Sequence, residues 1–176
     1  MCQTIYLIRH ATPDWERKDL VYHQIPGPPL TEMGLDEAKA LGTYFMQAGV
    51  NLLLTSPLER SFRTAQIVGK MTNATVQIEP ALIEWQPGEE EIHVQNRLSG
   101  VLETIIQKVD GDFVPGLVSH GGPIGVILSM LGMDATVLAK WRKFDHHNPL
   151  PPAGVWRIHR EKSSQKWQFD MVFTPN

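Results

Sequence analysis

The chain has 176 residues, 42% of them hydrophobic and 20% charged, with a formal net charge of −3. That length and composition fit one globular domain over residues 1–176. The acidic balance argues against nucleic-acid or anionic-membrane partners, no apolar run spans a bilayer, and the only cysteine, Cys2, excludes an internal disulfide. The N-terminus lacks the layout of a signal peptide, so the cytoplasm is the expected compartment.

Thr4 to Arg9 is short, apolar and rich in β-formers, and reads as a buried strand that ends on a cation and an imidazole, Arg9 and His10. Residues 20–30 hold Pro26, Gly27, Pro28 and Pro29 and form a loop. Thr31 to Ala48 predicts a helix with Leu35, Ala38, Leu41, Phe45 and Met46 on one face and Gly49 beyond its end. Asn51 to Thr55 predicts a second strand. In Ser56-Pro57-Leu58-Glu59 the serine is expected to cap a helix whose buried stripe is Leu58, Phe62, Ala65 and Val68. Thr75 to Ile78 reads as a third strand.

Glu79 to Glu91 is rich in glutamate and proline, and a short surface lid is expected around residues 79–95. Ile92 to Val109 has helical periodicity. Phe113 to Ser119 predicts a strand despite Pro115 and Gly116, and Gly121-Gly122-Pro123 opens a helix through Leu131. Val155 to His159 and Trp167 to Val172 alternate as a terminal antiparallel hairpin turning near Ser163 and Ser164.

Alternating strands and helices predict an α/β fold, a three-layer α/β/α sandwich around a mostly parallel sheet with a C-terminal antiparallel hairpin. Sites in such sheets lie beyond the carboxyl ends of the parallel strands. Arg9-His10, Ser56 and Ser119-His120 all stand at such ends, with Arg60 one turn into the following helix. Two guanidiniums, helix N-termini and a second imidazole make an anion pocket suited to phosphate. Surrounding positive charge would keep His10 neutral, and neutral imidazole is a nucleophile.

The segments LIRHATPDW, LTEMG, SPLERSFRTA and VSHGG resemble, in order and over about residues 4–132, the signatures of the histidine phosphatase superfamily, the phosphoglycerate-mutase-like branch 1 group. The resemblance implies His10 as the nucleophile, with Arg9, Arg60 and His120 binding the phosphoryl oxygens and Thr12 and the Gly121 backbone as further pocket candidates. It points to Glu84, in EPALIEWQPG, as the general acid, in competition with Asp14, Glu89, Glu90 and Glu91. It implies hydrolysis of a phosphate monoester, in a small metabolite or a phosphoprotein, with no metal or other cofactor.

The chain departs from the family pattern at Ala11, where a glycine is usual, and at Glu16, where mutases carry an asparagine. Glu16 and the short segment between Ile78 and Ile92 favour net hydrolysis over mutase chemistry. A phosphoglycerate-type mutase and a catalytically weak phosphate-binding module are the alternatives. Asp145-His146-His147 matches no standard zinc spacing and reads as surface. Trp15, Arg17, Tyr22 and His23 are candidates for a substrate rim, and Arg63 reads as a solvated helix residue.

Overall fold

The computed structural model describes residues 2–109 and 112–175. Strand β1 (Cys2–Arg9), helix α1 (Glu32–Phe45), β2 (Leu52–Thr55), α2 (Glu59–Thr72), β3 (Thr75–Ile78), α3 (Glu91–Lys108), β4 (Pro115–Ser119), α4 (Gly121–Met130), α5 (Ala135–Trp141), β5 (Val155–Glu161) and β6 (Gln168–Phe173) follow in that order. The sheet order is β3-β2-β4-β1-β5-β6. The first four strands pair in parallel, whereas β5 runs antiparallel to β1 and β6 antiparallel to β5.

The pleat explains the layers, because successive side chains face opposite sides. Ile5, Leu7, Leu54 and Leu117 join Val94, Leu98, Leu102 and Ile105 of α3 and Ile124 and Ile127 of α4. Tyr6, Ile8, Leu53 and Val118 join Ala38, Leu41 and Phe45 of α1 and Ala65 and Val68 of α2 on the other face. Strands buried on both faces have no polar alternation, which is why β1 reads as a continuous apolar run.

Thr31 caps α1, its hydroxyl accepting from the Gly34 amide at 2.9 Å. A Cβ on Gly34 would lie 2.2 Å from the Thr12 carbonyl oxygen. The glycine of LTEMG therefore lets α1 pack against the chain just after His10.

Ser56 does not cap α2. That helix starts at Glu59 and its N-cap is Leu58 with no side-chain cap bond; the Ser56 hydroxyl accepts from the Leu58 amide at 3.3 Å and pairs more closely with His120. The buried face of α2 carries Arg60, Ser61 and Thr64 beside Ala65 and Val68, and Phe62 is only half-buried. Pro115 is the first residue of β4, a position where a strand tolerates proline. The segment expected as a lid is shorter than residues 79–95: a 3₁₀ turn at Pro80–Leu82 is followed by irregular chain, and α3 begins at Glu91. Helix α5 was not signalled, having only Leu138 buried. Among the described residues no helix is long and apolar enough to cross a membrane.

Candidate active site

The order β2-β4-β1 sets three carboxyl strand ends side by side and so gathers Ser56, His120 and His10. The backbone fixes them. The His10 amide donates to the Ser119 carbonyl and the His10 carbonyl accepts from Ala153, both at 3.0 Å. His10, Arg60 and His120 are fully buried and Arg9 is 1% exposed.

The His10 Nδ1–H donates to the Ala11 carbonyl at 2.8 Å. Arginine can only donate, so the Arg60 Nε–H at 3.3 Å makes Nε2 of His10 the lone-pair nitrogen. By the same logic Arg60 Nη2, 3.3 Å from Nδ1 of His120, puts the His120 proton on Nε2, which donates to the Ser56 hydroxyl at 2.8 Å. The imidazoles lie 5.0 Å apart between ring centroids, with Arg60 bridging them. Burial first, then Arg60, holds both histidines well below the ordinary value of 6.5.

The loop of residues 20–30 delivers Tyr22 onto Arg60. The Tyr22 carbonyl accepts from Nη1 at 2.8 Å and the guanidinium lies 3.9 Å from the ring centroid. Burial pushes the Tyr22 hydroxyl up to about 12.

Arg9 is gripped from one end. Its Nη1 and Nη2 donate to the two carboxylate oxygens of Asp145 at 2.6 Å each, and Nη1 also donates to the Leu150 carbonyl at 3.0 Å. Its buried Nε has no hydrogen-bond partner among the described residues. Of the five N–H groups, Nε–H and one Nη2–H are left, along one edge of the fork. That edge matches a bidentate contact with phosphate. Burial opposes the charge on Asp145, but the hydrogen bonds and charge of Arg9 outweigh it and lower the Asp145 pKa.

Glu84 stands beside His120, Oε2 to Nδ1 3.6 Å, and its Oε1 accepts from the Trp85 amide at 2.8 Å. Burial raises its pKa against the pull of that amide, Arg60 and Arg9. With His120 neutral, the contact is not an ion pair. Gln86 donates to the His23 carbonyl at 3.1 Å, and Arg97 pairs with Glu89 at 2.7 Å, so the segment around Glu84 is tied to both the first loop and α3. That pairing makes Glu89 an anchor, and Glu90 and Glu91 belong to the start of α3.

The structure thus brings Arg9, His10, Arg60, Glu84 and His120 together. Thr12 is turned aside: its hydroxyl and amide donate to Glu37 at 2.9 and 2.7 Å. Gly121 opens α4 against Asn148, where a Cβ would lie 1.9 Å from the amide oxygen. Asp145, His146 and His147 are exposed, as the surface reading expects, but Asp145 also pairs with Arg9 and the His146 ring lies 5.7 Å from that of Trp15, neighbours of the site that the sequence did not indicate. Glu16 is exposed and does not line the recess above the site. Arg17 pairs with Asp19 and Arg63 is exposed. Among the described residues no cluster of three or more His, Cys, Asp or Glu could hold a metal ion.

Two histidines and two arginines are thus buried together at the carboxyl ends of the parallel strands. The chain belongs to the histidine phosphatase superfamily (branch 1), whose profile matches residues 5–93. It is 26% identical to the "Probable phosphoglycerate mutase GpmB" of Proteus mirabilis, over 88% of this chain and 90% of that one. Its fold is similar to that of mycobacterial glucosyl-3-phosphoglycerate phosphatase, with TM-score 0.74, 20% identity and coverage of 97% and 98%. It is also similar to that of phosphoglycerate mutase from Bacillus anthracis, with TM-score 0.75, 17% identity and coverage of 97% and 92%.

Proposed function

We propose that the protein is a metal-independent phosphomonoesterase working through a phosphohistidine on His10. The observation that carries this reading is the state of His10: Nδ1–H is tied to the Ala11 carbonyl, leaving the Nε2 lone pair facing Arg60. An ester reaching Nε2 displaces the Arg60 contact, and Arg60 turns from the rings to the phosphoryl oxygens, joined by the open edge of Arg9 and the first amides of α4. Ser56 both accepts and donates, so His120 can shift its proton to Nδ1 and donate to the same group.

In the first step Nε2 attacks phosphorus in line. The phosphorus–oxygen ester bond breaks, its electron pair stays on the leaving oxygen, and protonated Glu84 supplies the proton. In the second step the Glu84 carboxylate takes a proton from water as its oxygen attacks phosphorus. The phosphorus–nitrogen bond breaks, the pair returns to Nε2, and orthophosphate leaves. A raised Glu84 pKa suits the first role, and positioned cations supply most of the remaining stabilisation.

A mutase reading draws on the names of the relatives. It requires priming by a bisphosphate and a covered phosphoenzyme. The brief segment at residues 79–90 and the carboxylate of Asp145 beside the pocket support net hydrolysis. The test is orthophosphate release from a monoester panel without bisphosphate, in chelator, by wild type beside His10→Ala. Release by wild type alone supports the proposal; equal release by the variant refutes it.

A further inference from the structure

Above the buried histidines lies a recess of about 330 Å³, with Arg9, Glu84 and Gly122 towards its base and Trp15, Tyr22 and His146 on its wall. Contacts run around it as a collar. Arg60 sits under the Tyr22 ring, and Tyr22 stacks on Trp15 with centroids 5.0 Å apart and planes 18° off parallel. Trp15 then meets His146, 5.7 Å away across to the second loop, and the adjacent Asp145 grips Arg9. Two loops far apart in sequence therefore meet through rings, and both ends of the collar are the arginines of the pocket.

The second loop is held in an unfavourable backbone state. His146 and His147 have φ of 51° and 58°, a region non-glycine residues seldom adopt. Its contacts include a carboxylate on Arg9 and a ring on Trp15, and strain of this kind persists where the surroundings over-determine it. Trp15 keeps 37% of its surface exposed, an apolar wall open to the recess. Arg9, which also lines the recess, has a buried Nε with no hydrogen-bond partner among the described residues.

We propose that this collar selects the leaving group: the substrates are phosphate monoesters whose leaving group is an uncharged ring. This rests on the phosphatase reading. The partly exposed Trp15 ring offers stacking and CH–π contact to a planar or pyranose ring, and Tyr22 and His146 beside it offer edge-on contact. Among the described residues the recess has no lysine and no arginine other than Arg9, which is already paired with Asp145. A second carboxylate or phosphate on the leaving group therefore finds no lysine or further arginine and faces Glu84.

The test compares esters whose leaving groups are all alkoxides: benzyl phosphate and glucose 6-phosphate as ring esters, glycerol 3-phosphate without a ring, 3-phosphoglycerate with a carboxylate and phosphocholine with a cation. Wild type is expected to show kcat/KM for a ring ester about tenfold above those of the other three. The first two separate an aromatic ring from a sugar. Trp15→Ala is expected to lose about tenfold on the preferred ring ester, mostly through KM, against about twofold on glycerol 3-phosphate. Preference for 3-phosphoglycerate or phosphocholine, or equal losses on all esters, overturns the collar proposal alone. No hydrolysis of any ester by wild type overturns the phosphatase reading and this one with it.

Discussion

Asp145 holds Arg9 end-on, both carboxylate oxygens 2.6 Å from the two terminal nitrogens, across 136 residues of sequence. The grip fixes the plane of a buried guanidinium and leaves its other edge open. A paired arginine is pre-organised for phosphate, and an anion beside it also opposes a second anion. The geometry favours the first effect, because the carboxylate occupies the end and not the open edge. Asp145→Asn is therefore expected to raise KM about tenfold on its best ester with a smaller change in kcat. Steady-state kinetics and phosphate inhibition check it; a lower KM and tighter phosphate inhibition would mean that Asp145 competes with the substrate.

Glu84 must be protonated to serve the leaving oxygen, and burial raises its pKa. The first step, read as kcat/KM, should accordingly be fastest below that raised value and slow as pH climbs through it. Glu84→Gln should remove this alkaline limb and cost ~100- to 10,000-fold on an alkoxide ester. The loss in kcat/KM, which reports the first step, should be much smaller on p-nitrophenyl phosphate, whose leaving oxygen needs no proton, while kcat still falls because the second step lacks its base. Equal losses of kcat/KM on both esters would remove Glu84 from the acid role.

The two buried histidines make stability sensitive to acid. Their native pKa values lie well below the 6.5 of an unfolded chain. Below pH 6.5 the unfolded chain binds protons that the native one refuses, so stability falls as pH drops from there towards the native values. Urea midpoints should decrease between pH 7.5 and 5.5, and the decrease should be smaller in His120→Asn. A slope unchanged in that variant would show that His120 titrates normally.

Gly34→Ala tests the packing that carries the chain out of β1. The new methyl carbon would lie 2.2 Å from a backbone oxygen, so α1 or the Thr12 peptide must move. A loss of about 2–3 kcal/mol in urea unfolding is expected, at the upper end of overpacking costs. A loss below about 0.5 kcal/mol would show that α1 shifts freely.

Much of this site was legible in the sequence because the strand ends carry it. The β1 run announces itself through burial on both faces, and Arg9, His10, Arg60 and His120 lie inside signatures with fixed local spacing. Glu84 was harder, since a glutamate in an acidic segment has no pattern of its own; what marks it is the wall of Trp85 and the approach to Gly122. Asp145 stood out only as part of a surface Asp-His-His run, and its pairing with Arg9 left no signal, because a contact over that distance has no period. Ser56 misled for a related reason: a serine before proline has the look of a cap, but a buried imidazole claims its hydroxyl. Helix α5 has only Leu138 buried, too little to form a stripe.

The central claim is a phosphorus–nitrogen bond on Nε2 of His10. Rapid acid-free quenching of wild type during turnover of a ³²P-labelled monoester, followed by peptide mapping, tests it directly. The account predicts alkali-stable, acid-labile label on the peptide containing His10, absent in His10→Ala and accumulating in Glu84→Gln with an activated ester. Product formed at the wild-type rate with no label on that peptide would contradict it.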